Sequence, residues 1–131
     1  MLKKGILNPY INSLLSRVRH NNMLVIADRG FTNFPGVEIV DLSLVDDIPT
    51  VLQVFEAIKP IFDVCQIYMA SEFKLENSEA VQKRLQDACG IIPVIYERSD
   101  EMKKRVPSAI GIIRTADTIQ YANMLLVSGR I

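Results

Sequence analysis

The sequence predicts an α/β fold, a single three-layer α/β/α domain on a mixed, mostly parallel sheet. Three observations predict it. Short apolar runs alternate with segments of helical periodicity along the whole chain. The first run, "MLVIA" (23–27), is continuously apolar, as in a strand covered on both faces. The chain has 131 residues with no repeat, low-complexity segment or linker, so one domain, 1–131, accounts for it.

Each element has its own signal. "NPYINSLLSRVR" (8–19) opens with Asn8 as N-cap and Pro9 at the first helical position. Ile11, Leu14, Leu15 and Val18 form its apolar stripe, and Arg17 and Arg19 close it, where the helix dipole favours cations. Strand 23–27 follows, then a second strand at "VEIVDLS" (37–43). The segment 47–62 reads as a helix capped by Asp47 and disturbed by Pro60. "VCQIYMAS" (64–71) is a strand, and 77–90 is a helix with an Asn or Ser cap that Gly90 ends. "IPVIY" (92–96) is a strand and "SDEMKKRV" (99–106) a short helix. The last two strands are 109–115 and 123–128, close enough in sequence to be antiparallel.

Composition narrows the function. Lys plus Arg and Asp plus Glu number 15 each, so no basic stripe invites nucleic acid, and little self-repulsion opposes assembly. No apolar run is long enough to span a bilayer, and the N-terminus lacks the pattern of a signal peptide. Cys65 and Cys89 form no metal or redox motif and read as buried thiols in a reducing compartment. There is no glycine-rich phosphate loop, and a single histidine weighs against a His-rich metal site. Neither metal nor cofactor is expected.

Open α/β sheets bind ligands beyond the carboxyl ends of their strands. Those ends carry Asp28, Glu72, Glu97-Arg98-Ser99 and Arg114-Thr115, polar groups suited to a small polyhydroxylated ligand. His20, the one histidine, precedes strand 23–27, and Asp28 closes it. Each has an ordinary structural reading, as a helix-terminal histidine and as the first residue of an Asp-x-Gly turn. Phe31 and Phe34, in a turn-rich segment, look exposed enough to meet a neighbouring chain. Tyr121 and Asn123 alternate across Ala122, so a strand there would point both to one face, offering a ring and an amide to a sugar.

Taken in order, "KKGILN" (3–8), His20, "VIADRG" (25–30), "VDLSL" (40–44), "MASEFK" (69–74), "IIRT" (112–115) and "YAN" (121–123) resemble the D-ribose pyranase and fucose mutarotase (RbsD/FucU) family, from Lys3 to Gly129. The resemblance implies a cytoplasmic, cofactor-free isomerase of sugar ring forms or anomers. It implies an RbsD-like subunit assembled as a homo-oligomer, commonly a decamer, with sites near subunit interfaces. His20 falls on the family's catalytic histidine. Asp28, Tyr121, Ala122 and Asn123 fall on its sugar-binding positions, and Lys103 where pyranases carry a lysine near the sugar. Ser99 stands where pyranase-like members place a second histidine, while "YER" (96–98) resembles the mutarotase branch. D-ribose pyranase is the first expectation. Fucose mutarotase activity and a non-catalytic sugar-binding role are the alternatives.

The chemistry suits such a chain. Opening a pyranose takes a proton from the anomeric hydroxyl and gives one to the ring oxygen. One histidine working near its natural pKa supplies ~10²–10⁴-fold in such transfers. Geometry sets a condition on this assignment. An extended 23–27 would hold His20 and Asp28 roughly 13–17 Å apart, at ~3.3 Å per residue. Either the turn at His20-Asn21-Asn22 folds back along the sheet, or the two residues serve one site from different subunits.

Overall fold

A computed structural model describes residues 1–129. One six-stranded sheet forms its centre, in the order β2-β5-β1-β6-β3-β4. The strands are β1 (Met23–Ala27), β2 (Glu38–Asp41), β3 (Val64–Ala70), β4 (Val94–Glu97), β5 (Gly111–Arg114) and β6 (Met124–Ser128). β1 with β5, β2 with β5 and β3 with β4 pair parallel. β6 lies antiparallel between β1 and β3, so it alone runs against the other described strands. The expected mixed, mostly parallel sheet is present. The last two strands run antiparallel, as expected, but are not hydrogen-bonded partners, because β1 lies between them.

The helices are α1 (Pro9–Arg17), α2 (Val51–Ile58), α3 (Glu72–Glu76), α4 (Glu79–Cys89) and α5 (Ser99–Lys103), with 3-10 turns at Lys59–Ile61 and Val106–Ser108. Sheet alternation divides the core. Leu24, Ile26, Ile67, Met69, Met124 and Leu126 point to one face and meet Leu14, Val54, Phe55, Ile58, Phe73 and Leu85 from α1 to α4. Val25, Ala27, Ile112 and Leu125 point to the other, where Met102 of α5, Val106 and Phe31 cover them, with partly buried Phe34, Val37, Ala109 and Tyr121 packed around. The three layers are therefore unequal, and the thin layer is the one that lies against the cleft described below.

Local chemistry explains the boundaries. Asn8 caps α1 by accepting from the Tyr10 and Ile11 N–H groups, with Pro9 inside. α2 begins later than expected. Thr50, not Asp47, is its cap, and Thr50 and Gln53 form a reciprocal capping box. Asp47 has φ +64° and accepts instead from the Thr118 N–H and hydroxyl, tying the loop before α2 to the loop before β6. Ser78 caps α4, and Gly90, at φ +58°, ends it. The short α3, five residues with no side-chain cap at its start, follows β3 so closely that the sequence offers no boundary between them.

Phe31 is packed within its own chain, and Phe34 is partly buried against it. Their rings stack on each other at 5.7 Å, and Phe31 is only 6% exposed. Cys65 and Cys89 are both free thiols; Cys89 is buried, which pushes its thiol up to about 11, and Cys65 is partly buried. No helix among the described residues is long and apolar enough to cross a membrane.

Candidate functional site

Because β6 alone is reversed, its N-terminal end meets the C-terminal ends of β1, β3 and β4 at one edge of the sheet. A cleft of about 350 Å³ opens there. Asp28 enters it from the end of β1, Ala70 from β3, Ser99 and Lys103 from α5, and Gln120, Tyr121 and Asn123 from the loop leading into β6. Phe31 and Met102 supply apolar wall. This is the edge where α/β sheets bind ligands.

Hydrogen bonds hold the cleft's parts together. The Asp28 N–H donates to Asn123 Oδ1 at 2.7 Å, joining the ends of β1 and β6. The Gly30 N–H donates to Asp28 Oδ1 at 3.0 Å. Burial raises the Asp28 carboxyl above its ordinary value, against the lowering effect of the Gly30 N–H and the Asn123 amide, with Asp117 adding to the rise and Lys103 opposing it. Lys103 makes no ion pair among the described residues and is exposed at the cleft.

The loop before β6 is anchored by Asp117, 2% exposed. Its carboxylate accepts from the Val51 N–H at 2.9 Å, at the start of α2, and from the Ile119 N–H at 2.7 Å. The helix N-terminus compensates the buried charge. Asn77 donates to the Gln120 carbonyl at 2.8 Å. So held, Tyr121 adopts φ +59°, uncommon for a side chain of its size. β6 starts only at Met124, so Tyr121 and Asn123 do not share a face by strand alternation. They reach the same cleft through this turn, while Ala122 between them is fully buried.

The other polar strand ends divide. Ser99 lines the cleft, and its hydroxyl and N–H both donate to Glu72, which stands behind it. Arg114 turns away: it donates to Asp41, to the Phe31 carbonyl and to Asn33, and so fixes the loop that carries Phe31. Thr115 is fully buried, its hydroxyl donating to the Ala27 carbonyl at 2.8 Å. Glu97 takes a two-pronged contact from Arg105 at 2.7 and 2.9 Å.

His20 does not line this cleft. The Asn21 N–H donates to the Ser128 carbonyl at 2.9 Å and the Ser128 N–H to the Asn22 carbonyl at 2.8 Å, which pins the turn at the opposite edge of the sheet. There the exposed His20 lies against Gly129, whose missing Cβ would stand 3.6 Å from His20 Cε1 and 3.4 Å from Cys65 Sγ. The turn does not fold back along the sheet. His20 and Asp28 of one chain remain separated by the length of β1, about 16 Å at ~3.3 Å per residue. Met102 and Gln120 were not singled out from the sequence, and Phe31 was read there as a surface for a neighbouring chain rather than as cleft wall. The apolar pair leaves no signal there that distinguishes a cleft wall from a core.

A model of the RbsD / FucU transport protein family matches residues 1–131. A protein named D-ribose pyranase from Geobacillus thermodenitrificans is 36% identical over 133 residues, covering 98% of this chain and 97% of its own length. Among solved structures, Bacillus subtilis RbsD complexed with D-ribose superposes with a TM-score of 0.92 at 30% identity, over 100% of this chain and 99% of that one. Fucose mutarotase from Streptococcus pneumoniae in complex with L-fucose, 18% identical, shares the fold at a TM-score of 0.77 over 99% of each chain.

Proposed function

The chain belongs to the RbsD / FucU family, and on that premise we propose that it is an isomerase of monosaccharide ring forms, acting on D-ribose as a pyranase. The observation that carries this reading is the cleft at the strand ends. In it an acceptor carboxylate (Asp28), a fixed cation (Lys103), a hydroxyl (Ser99) and the Tyr121-Asn123 turn surround a volume suited to one sugar. The full-length relatives named D-ribose pyranase and the ribose-bound structural relative support it.

In the proposed mechanism His20 shuttles the proton. It takes the proton of the anomeric hydroxyl and returns one to the ring oxygen as the C–O ring bond breaks, so no net charge or electron is gained. Reclosure through another hydroxyl yields the furanose; reclosure on the other face yields the second anomer. Asp28 accepts a sugar hydroxyl, Lys103 donates to a sugar oxygen, and Tyr121 and Asn123 hold the ring. Since His20 stands at the far edge of its own sheet, the His20 that serves a cleft comes from a second copy of the chain. The active unit is therefore a cytoplasmic homo-oligomer with clefts completed across its interfaces, a decamer being the expected size.

Magnetisation-exchange NMR of ribose and fucose, with a panel of pentoses and 6-deoxyhexoses, tests this directly. Faster ribose ring exchange in the presence of protein is the expected result. Ligand line-broadening without faster exchange would replace the isomerase by a sugar-binding protein.

A further inference from the structure

Ser99 touches the cleft with a hydroxyl whose proton is already committed. Its Oγ donates to Glu72 Oε2 at 2.6 Å, and its N–H donates to Oε1 at 3.0 Å and Oε2 at 3.2 Å. Glu72 is the first residue of α3, directly after β3, and is not itself in the cleft wall. A serine hydroxyl has one proton and two lone pairs. With the proton held by a carboxylate, in a short charge-assisted bond, only the lone pairs remain for a ligand.

We propose that Glu72 is a specificity-determining positioning residue, which holds the Ser99 proton and so makes position 99 a hydrogen-bond acceptor only. The inference rests on the monosaccharide reading of the cleft and deepens it. A sugar that satisfies the cleft must direct a hydroxyl donor at Ser99 and another at Asp28, and offer an oxygen acceptor to Lys103. Sugars differing in the orientation of one hydroxyl fail one of these demands, and a site built to bond a hydroxyl rejects a misfit more strongly than an apolar one does. The bonds from Ser99 hold the Glu72 carboxyl below its ordinary range, with its own backbone N–H and the Ser71 hydroxyl contributing, so Glu72 stays an acceptor throughout neutral pH.

Glu72 also caps the first turn of α5 through the Ser99 N–H, a purely structural role that the test must separate. Glu72→Gln keeps the shape but sets an amide donor among the bonds of Ser99. In Ser99→Ala the N–H remains for Glu72 to cap, while the hydroxyl is gone. The experiment measures KM and kcat for ribose and fucose by exchange NMR, and melting temperature, in wild type, Glu72→Gln, Ser99→Ala and the double variant.

Glu72→Gln is expected to raise the ribose KM roughly fivefold, as for one lost hydrogen bond, to leave kcat within about twofold, and to change the ribose-to-fucose ratio. In the Ser99→Ala background the same substitution is expected to leave KM unchanged. An unmoved KM and sugar ratio in folded Glu72→Gln would overturn the proposal, as would an equal KM change with and without the hydroxyl. If wild type speeds no sugar's exchange, the isomerase reading falls. The Kd for ribose by saturation-transfer NMR then replaces KM in the same comparison. Wild type that binds no monosaccharide overturns both.

Discussion

At the scale of the residue, His20 and Asp28 act through different physics. His20 is exposed and is the one imidazole of the chain, a side chain that can both accept and donate a proton, which fits a proton shuttle. His20→Ala is expected to abolish catalysed exchange while leaving the melting temperature within about 2 °C, since a side chain exposed on its own subunit contributes little to that subunit's packing; normal exchange in the folded variant would remove His20 from the mechanism. Asp28 is half-buried, and its carboxyl is raised by that burial. The folded state thus holds the Asp28 proton more tightly than the unfolded chain does. This contribution to stability is fully favourable only below the unfolded value of 3.8, and it is lost as pH rises through the raised folded value. Asp28→Asn removes the ionised form, so at pH 7 it is expected to melt no lower than wild type while binding ribose more weakly. Paired melting curves at pH 7 and in acid check the sign, because any gain must shrink as the acid is reached. Position 99 carries a further expectation. Ser99→His is expected to change the ribose-to-fucose ratio by more than it changes melting temperature, and an unchanged ratio would place residue 99 outside sugar contact.

At the scale of the element, the cleft depends on helix starts that never touch a ligand. The α2 N-terminus is held twice, by the Thr50–Gln53 capping box and by the Asp117 carboxylate on the Val51 N–H. Only the second bond also governs the loop that carries Tyr121. Thr50→Ala is expected to cost about 1 kcal/mol, the usual worth of a cap, with KM for ribose unchanged. Asp117→Ala leaves the Val51 and Ile119 N–H groups without that acceptor, and is expected to lower stability further and to raise KM as the loop loosens. Denaturant titration paired with exchange NMR separates the two. Equal KM in wild type and Asp117→Ala would mean that the Tyr121 turn holds its shape unaided. The Thr50 cap was readable in principle, since Thr50-x-x-Gln53 is a capping-box pattern. Asp47 attracted the assignment because it too is a good cap residue, yet its carboxylate is taken by Thr118, 71 residues away in sequence.

At the scale of the whole molecule, β1 holds each chain's His20 and its own cleft at opposite ends of one strand, and so predicts dependence on assembly. Light scattering at micromolar concentration is expected to show an oligomer. A monomer that still catalyses exchange would sink the shared site. Mixing two impaired variants, assayed at a ribose concentration too low to saturate Asp28→Asn, gives the sharper test. His20→Ala and Asp28→Asn subunits, unfolded and refolded together, are expected to regain activity at about a quarter of the sites by random assortment around symmetric interfaces. Continued inactivity in a properly mixed oligomer would mean that both residues must come from one chain.

The sequence by itself determined the fold class and the core of β1, and its resemblance to a known family singled out five of the eleven residues that line the cleft, Asp28, Ser99, Lys103, Tyr121 and Asn123. These follow from local signals: apolar periodicity, caps at Asn8 and Ser78, and short motifs in a fixed order. Only the tertiary structure decided that β6 enters between β1 and β3, that Arg114 faces away while Ser99 faces in, and that Glu72 takes the Ser99 proton. It also decided that His20 cannot fold back to Asp28, because Ser128 holds its turn at the far edge. The physical reason is the same in each case. A residue's type and its near neighbours fix its backbone preference, whereas the direction and partner of a polar side chain depend on groups tens of residues away that only sheet pairing brings within hydrogen-bond reach.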